Sequence, residues 1–510
     1  MAIELELKLA LSPEDAAAFR RHALLSGLRP LRRRMLNTYF DTPDLRLSQA
    51  RMALRLRRAG GKWLQTLKAG GGAAAGLHQR SEWEYPLSQG ALALALFAGS
   101  ALDAFKADDL PAQLQAVFST DFMRTAWLLE PVPGTRIEIA LDQGRIASGR
   151  RERAICEVEL ELKEGDAAAL YELAAALQRQ VRLRPDSVSK AEQGYRLYRN
   201  APLQPAKFAL PSIGAALGPE RALRVVVDAC LAQAEANAAG VLRQPRDTEF
   251  LHQTRVALRR MRSALKLAGQ AEPAAAALAD TLRPIANALG EARDWDVLIG
   301  ETLPPLLAAW SGAGGAALLA RARRRRSVAR ANARATLTGA DWCAALLALS
   351  RWLGTPPAPV GGAPTLTDFA AAQIRRRHKR LLRDGGELAS RTAGQRHRAR
   401  IAAKKLRYGA ETFAALFEAA SVAPYLRGLE VLQEALGQVN DAQSALRLIG
   451  DLSPAADFVL FAAGWFAGRD ARELLVAQQA ITRLAARKPF WKHPRAANKK
   501  PRRPAGNPRR

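Results

Sequence analysis

Cysteine is scarce in this 510-residue sequence: Cys156, Cys230 and Cys343 are the three present, far apart in the chain. Their spacing suits neither a zinc site nor a disulfide framework, which excludes the small stapled classes and points to a reducing compartment. Long apolar runs are also missing, none approaching the roughly 20 residues that span a bilayer. The opening MAIELELK lacks the pattern of a secretory leader. A soluble cytoplasmic protein with no membrane partner is expected. Aromatics are 6% of the chain and are not interleaved with its basic stretches. That disfavours a stacking platform for single strands, so specific nucleic-acid binding is not expected.

Acid is the other shortage, and it is local. The formal net charge is +29, yet residues 1–200 hold 29 Lys/Arg against 24 Asp/Glu. The excess lies further on: about +14 over 201–486, and ten basic residues with no acid in 487–510. A field of that sign attracts polyanions. Hydrophobic residues at 48% and charged residues at 25% make a globular chain, and its length calls for two or three domains.

Residues 1–200 alternate with the period of strands. Ile3–Leu9 sets Glu4, Glu6 and Lys8 on one face and Leu5, Leu7 and Leu9 on the other. The pattern returns at Leu54–Arg57, Trp63–Lys68, Arg80–Tyr85, Arg136–Leu141 and Ile155–Leu162, with a hairpin turn at Gly60-Gly61. Helical stretches are predicted at Pro13–Ser26, after the N-cap Ser12, and at Asp166–Gln180. Pro202, Pro205 and Pro211 mark a linker at 201–214. Beyond it the period is helical from 215 to 486, broken by the proline-rich Gly354–Thr365. The tail 487–510, dense in Pro, Lys and Arg, reads as disordered.

The helical half repeats itself, over about 215–350 and 366–486. His252, Arg255, Arg259, Arg260 and Arg262 recur position by position as His397, Arg400, Lys404, Lys405 and Arg407. Downstream, Leu289-Gly290 with Arg293-Asp294 matches Leu436-Gly437 with Asn440-Asp441. Two motifs in one order at nearly one spacing indicate duplication. On a helix, His252, Arg255, Arg259 and Arg262 fall within about 80° of one another. Leu258, Met261, Leu265 and Leu406 take the core positions. Each histidine has bases rather than acids or thiols within a turn, so a metal site is disfavoured. The repeats differ in charge, because Arg375, Arg376, Arg377, His378, Lys379 and Arg380 open the second where the first is apolar. Arg321–Arg326, five Arg in six residues, adds another basic surface.

The first half carries charge on one face of strand after strand. Glu4, Glu6 and Lys8 share a face, as do Arg55 with Arg57, Thr66 with Lys68, and Arg80 with Glu82 and Glu84. Arg136, Glu138 and Asp142 follow, then Glu157, Glu159 and Glu161. On a single strand such a face reads as solvated exterior. Here the opposite faces are fully apolar, which requires a large core behind them. A closed barrel would gather the charged faces in its lumen, where carboxylates suit Mg²⁺ or Mn²⁺ and guanidinium groups suit phosphate oxygens. His22 and His78 fall outside these motifs and read as surface residues.

The run Glu4-x-Glu6-x-Lys8, Tyr39-Phe40-Asp41-Thr42-Pro43, Leu54-Arg55-Leu56-Arg57-Arg58, Arg80-Ser-Glu82-Trp-Glu84, Glu157-x-Glu159-x-Glu161 and Ser189-Lys190-Ala-Glu resembles the CYTH family of triphosphate tunnel metalloenzymes. The resemblance implies an α+β domain: an eight-stranded antiparallel tunnel with flanking helices that binds a linear triphosphate and Mg²⁺ or Mn²⁺. By motif, Glu4, Glu6, Glu159 and Glu161 become metal ligands, with Glu138 and Glu157 as further candidates. Lys8, Arg55, Arg57, Lys68, Arg80, Arg124 and Lys190 become phosphate contacts, and Glu4, Glu6 and Lys8 the catalytic set. The helical half resembles the CHAD, or conserved histidine α-helical, family, built of two four-helix repeats. That implies long-chain polyphosphate binding by His252, Arg255, Arg259, Arg262, Arg375, Arg376, His378, Lys379, His397, Arg400, Lys404, Lys405 and Arg407. The expectation is a cytoplasmic inorganic triphosphatase, at polyphosphate granules, cleaving tripolyphosphate to pyrophosphate and phosphate. Two alternatives stay open: an organic triphosphate as substrate (nucleoside or thiamine triphosphate, or an adenylate cyclase reaction), or a non-catalytic polyphosphate-binding protein.

Overall fold

The computed structural model describes residues 2–74, 76–105, 110–357, 362 and 364–492. The side chains of residues 2–4, 71–74, 78–80 and 105 lie outside the description, which takes in Glu4, His78 and Arg80.

Alternation in the sequence becomes nine strands: β1 (Ala2–Ala10), β2 (Leu31–Asp41), β3 (Met52–Ala59), β4 (Lys62–Ala74), β5 (Leu77–Leu87), β6 (Gln115–Val132), β7 (Thr135–Ser148), β8 (Arg151–Glu164) and the two-residue β9 (Arg184–Pro185). They form one antiparallel sheet in the order β5-β4-β3-β2-β6-β7-β8-β1-β9. β5 also pairs with β1, from Ala2↔Glu82 to Leu7↔Leu77, so the run of strands returns to its start. β9 is one short strand more than the eight expected. β2 and β6 are long strands that the alternation had not marked: their faces mix polar and apolar residues, with Arg32, Arg33 and Arg34 at the open end of β2. The Gly60-Gly61 turn joins β3 and β4, with Gly60 at φ +63°.

The outward faces of β1, β7 and β8 carry Leu7, Leu9, Ile137, Ile139, Val158 and Leu160, all fully buried. They pack on α1 (Pro13–Arg20) and α4 (Ala168–Gln178), which supply Phe19, Leu170 and Leu177 to the same core. This is the core behind the charged faces that the sequence required. The helix predicted to Ser26 stops at Arg20 and resumes as a short 3₁₀ turn, Ala23–Leu25. His22 caps that turn, its Nδ1 accepting the Leu24 N–H at 3.1 Å. It is buried, not a surface residue. The short α2 (Arg46–Gln49) hangs on Asp41, whose carboxylate accepts the Thr42, Leu47 and Ser48 N–H groups at 2.8–2.9 Å. α3 (Leu110–Gln113) precedes β6, and α5 (Lys190–Arg199) lies across β6, β7 and β8.

The helical half comprises α6 (Pro219–Arg243), α7 (Thr248–Ala268), α8 (Pro273–Val297), α9 (Leu303–Ala309), α10 (Gly315–Thr338), α11 (Ala340–Gly354), α12 (Leu366–Asp384), α13 (Ala393–Thr412), α14 (Ala419–Gly450) and α15 (Ala456–Ala486). Leu258, Met261, Leu265 and Leu406 are fully buried, as their place on the basic stripes required. By length and composition α6 could cross a membrane, with mean hydropathy 1.3 over its best window, although no such run was expected. More than half of that window is buried, and α6 packs along α7. The linker 201–214 has no regular structure, yet Leu203 and Phe208 pack on the helical core. Asn237 pins it by bonding both the N–H and the carbonyl of Ala206.

The two halves share a core. Leu347 of α11 is buried among the β-domain residues, the Gln178 amide donates to the Cys343 carbonyl at 3.1 Å, and Arg351 pairs with Glu172. The tail expected to be disordered from 487 lies outside the described residues beyond 492, and its first residues are ordered. Phe490 and Trp491 are buried, with Phe490 5.5 Å from Phe417 and 5.0 Å from Tyr425, because aromatic area outweighs the local basic charge. Phe490→Ala should cost about 3–5 kcal/mol, read as a lower urea midpoint, and a chain ending at Lys488 should lose more.

Candidate functional site

A cavity of about 290 Å³ occupies the middle of the sheet, close to the lower end of the roughly 300–1,000 Å³ usual for small-molecule sites. Eight strands and α5 line it. The register of the ladders decides who meets whom. Glu6 of β1 stands opposite Glu161 of β8, which stands opposite Glu138 of β7. All three line the cavity, one carboxylate on each of three adjacent strands at one level. Opposed residues bring their Cβ atoms within about 5 Å, which sets these three side chains next to one another, with the Lys163 ammonium 2.6 Å from Glu161. Arg55 and Arg57 of β3, Lys68 of β4 and Arg124 of β6 line the cavity as well.

Deeper in, charge is balanced by charge. The Lys190 ammonium lies 2.6 Å from Asp142, 2.5 Å from Glu157 and 2.7 Å from Glu159. Arg124 grips Asp142 at 2.7 Å and also Glu159. Lys8, 1% exposed, pairs with Glu157 at 2.9 Å and donates to the Val188 carbonyl. Burial opposes ionisation of Glu159, yet Lys190 and Arg124 outweigh it and hold its carboxyl well below the usual range. Burial likewise disfavours the Lys190 ammonium, and Asp142, Glu157 and Glu159 outweigh it.

On the β3–β5 side the acids are Glu82 and Glu84. Glu82 lies 3.6 Å from both Arg55 and Lys68, and Glu84 accepts from the Thr66 hydroxyl at 2.9 Å. Arg57 differs. Its Nε donates to the Asn37 side chain at 2.8 Å, and among the described residues no carboxylate lies within ion-pair distance of it. Burial, with Arg55 and Arg124 alongside, lowers its pKa to about 10. It is a cation short of an anion.

These positions test where a divalent ion could sit. Oxygen donors from Asp142, Glu157 and Glu159 come within 4.8 Å of one another. The Lys190 ammonium already stands among them, so a cation there would have to displace it. Glu6, Glu138 and Glu161 offer carboxylate oxygens at the cavity wall, a donor set that suits a hard cation. Of the expected ligands, Glu6, Glu161 and the candidate Glu138 line the cavity at one level, with Glu161 paired to Lys163 at 2.6 Å, while Glu159 and Glu157 are engaged by Lys190, Arg124 and Lys8. The side chains of Glu4, on β1, and Arg80, on β5, lie outside those described.

In the helical half the two His-led stripes meet. Arg255 and Arg259 of α7 and Arg400 and Lys404 of α13 lie within electrostatic reach of one another. Burial and then Arg400 and Arg259 drag the Lys404 pKa down to about 6. Burial and Arg259 lower Arg255 to about 10. The Nε groups of Arg255, Arg259 and Arg400 are buried without hydrogen-bond partners among the described residues. Gly290 of α8 leaves room for the Arg255 guanidinium, since a Cβ there would lie 2.5 Å from Nη1. His397 bonds Asn440 at 3.0 Å and lines a cavity of about 240 Å³ with Arg400. Burial and the nearby Arg293, which stands where the second repeat has Asn440, lower the pKa of His252.

Family comparison matches a CYTH domain to residues 2–195 and a CHAD domain to residues 225–450. The chain carries a CYTH domain followed by a CHAD domain. An inorganic triphosphatase of Haemophilus influenzae is 37% identical over 200 residues, which are 39% of this chain and 55% of that protein. The chain thus spans about half the length of that relative. The solved CHAD domain of the plant Ricinus communis is 31% identical, with a TM-score of 0.50, covering 56% of this chain and 99% of that one. A Hippeastrum protein described as a putative adenylyl cyclase with dominant triphosphatase activity is 19% identical, with a TM-score of 0.31, covering 40% of this chain and 98% of that one.

The rest of the expected CHAD set is dispersed. Arg262 donates to the Ala279 carbonyl at 3.0 Å, and Arg407 is tied to Glu411 at 2.6 Å. Lys405 groups with Arg380, Lys266, Arg377 and Arg262 instead. Arg375, Arg376 and Lys379 are exposed on α12. His378 bonds the Tyr425 hydroxyl at 2.7 Å and lies against Trp491. In the CYTH domain the reading of functional residues omitted Asn37, Glu82, Glu84 and Lys163, all on the cavity wall. The alternation of β5 already signalled Glu82 and Glu84, whereas nothing local marked Asn37.

Lys190→Met would leave three carboxylates facing Arg124 and Lys8 alone. Breaking a buried ion pair costs about 3–5 kcal/mol, so chemical denaturation at neutral pH should show a loss of that order. Glu159, whose pKa is depressed, contributes its stability above the ordinary carboxylate range and loses it as pH falls. The gap between parent and variant should therefore shrink below about pH 4, where the unpaired acids protonate.

Proposed function

We propose that the CYTH cavity hydrolyses inorganic tripolyphosphate with Mg²⁺ or Mn²⁺, and that the CHAD domain binds long-chain polyphosphate. The observation that carries the first part is that Glu6, Glu138 and Glu161 share one cavity with Arg55, Arg57, Lys68 and Arg124. Glu6, Glu138 and Glu161 would hold the divalent ion, which when bound neutralises phosphate charge and lowers the pKa of water. The remaining work falls to the chain. Arg57, with no carboxylate within ion-pair distance among the described residues, is the cation best placed to donate to phosphate oxygens without first surrendering a partner. Arg55 and Lys68 can exchange Glu82 for phosphate, and Arg124, anchored on Asp142, presents its remaining donors at a fixed angle. Phosphoryl transfer needs little beyond such positioning and charge stabilisation. The charged lining also favours a bare phosphate chain, because among the described residues Tyr39 and Phe122 are its only aromatic members.

Glu6→Gln keeps the shape and deletes one charge, and should lower tripolyphosphate turnover at least about a hundredfold. The measurement is phosphate release with tripolyphosphate, pyrophosphate, ATP and thiamine triphosphate, each with Mg²⁺ and with Mn²⁺. Near-parental turnover by Glu6→Gln, or a preference for ATP or thiamine triphosphate, would overturn this reading.

For the CHAD domain the carrying observation is the shared cluster of Arg255, Arg259, Arg400 and Lys404. An anion seated there relieves mutual repulsion, and its affinity should fall as salt rises. Lys404, with a pKa near 6, is mostly neutral at pH 7. A bound polyanion favours its charged form, so binding takes up a proton and strengthens as pH falls from about 8 towards 6. Calorimetry in buffers of different ionisation enthalpy reads that proton. Lys404→Met should abolish the uptake, and replacing all four residues by Ala should remove most of the affinity in the full chain.

A further inference from the structure

One buried carboxyl outside the cavity touches the segment that frames it. Segment 184–190 starts as β9 beside β1, then Asp186 donates its N–H to the Lys8 carbonyl at 2.9 Å, and Lys190 ends it. The Asp186 side chain accepts the Val188 N–H at 3.0 Å, and the Val188 carbonyl accepts from the Lys8 ammonium. Gly76 passes so close that a Cβ would meet that of Pro185 at 2.9 Å, and its N–H donates to the Ser187 hydroxyl at 3.0 Å. One strap therefore fixes both lysines that organise the deep end of the cavity.

The helical domain holds this strap from behind. α11 packs on β9, and the Ser187 hydroxyl donates to Glu235 Oε2 at 3.4 Å. Glu235 lies within α6, and its other oxygen, Oε1, is buried with no hydrogen-bond partner among the described residues. The charged groups facing it are Arg184 on β9, Asp186 on the strap and Asp228 on its own helix. A carboxylate so enclosed is costly, whereas the protonated acid can stay there.

We propose that Glu235 is a positioning residue across the domain junction: through Ser187 it fixes the strap that sets Lys8 and Lys190 in the CYTH cavity. The inference rests on that cavity being the site of triphosphate hydrolysis. Burial first, opposed by Arg184 and by the Ser187 hydrogen bond and helped by Asp186 and Asp228, raises the Glu235 pKa to about 8. At pH 7 the group is neutral. Above about pH 8 it becomes an anion, to which the Ser187 hydroxyl donates more strongly while Asp186 lies alongside, so the contact changes character across that pH but is not lost.

The test uses the full chain, with kcat and KM for tripolyphosphate followed from about pH 6.5 to 9.5. Losing one such contact should raise KM about threefold to tenfold in Glu235→Ala, with a smaller change in kcat. Glu235→Gln, neutral at every pH and equal in shape, should match the parent in KM at pH 7 and lack whatever change in KM the parent shows across pH 8. Amide hydrogen exchange at Asp186 and Val188 should quicken in Glu235→Ala and stay parental in Glu235→Gln. Parental KM, pH profile and exchange in both variants would overturn the proposal. If the parent itself fails to cleave tripolyphosphate, the functional reading falls, and the exchange comparison still decides whether Glu235 holds the strap.

Discussion

A charge taken out of water must find an opposite charge or remain a standing cost, and the molecule answers that constraint in two ways. In the CYTH domain the answer is pairing. Lys190 stands among Asp142, Glu157 and Glu159, Lys8 among Glu157, Asp186 and a carbonyl, and Arg124 between Asp142 and Glu159. These residues form a scaffold whose charges are already satisfied. Around it stand groups whose balance is incomplete, Arg57 above all. The same alternating faces supply both, and the register of the ladder decides which is which.

The CHAD domain leaves the constraint unmet. Arg255, Arg259, Arg400 and Lys404 come from two copies of one motif and are brought face to face, with Asp294 and Asp441 as their nearby counter-charges. A protein that places like charges together and offers few acids stores repulsion, which an anionic chain would release. Duplication makes this arrangement straightforward, because one helix bearing a basic stripe, doubled and opposed, yields a cluster of twice the charge.

Much of this was legible before any coordinates. Strict alternation at Glu4–Lys8, Arg55–Arg57 and Glu157–Glu161 marked three strands and an inner charged face, and the duplicated motif marked α7 and α13. β2 and β6 escaped because neither alternates along its whole length: β2 begins with exposed arginines, and β6 changes character along 18 residues. Phe490 and Trp491 were hidden by their basic neighbours, since two rings outweigh several solvated charges only once a groove exists to receive them. Within the site, sequence named the charged residues without ranking them. Whether Glu157 or Glu138 faces the cavity depends on side-chain pairings that no local pattern contains. Glu235 was out of reach for the same reason, as its partner lies in the other domain.

The pairing of β1 with β5 and β8 has a consequence for biosynthesis. β1 is made early, yet its partner Glu161 in β8 lies far along the chain. At roughly 5–20 residues per second the strand waits on the order of 8–30 s beside the ribosome before that edge can be covered. Meanwhile Leu5, Leu7 and Leu9 present an apolar face with an open backbone edge, the kind of segment that pairs with a wrong neighbour. Glu6 and Lys8, alternating with those leucines, keep the nascent strand charged on its other face and so act as gatekeepers against aggregation during the delay.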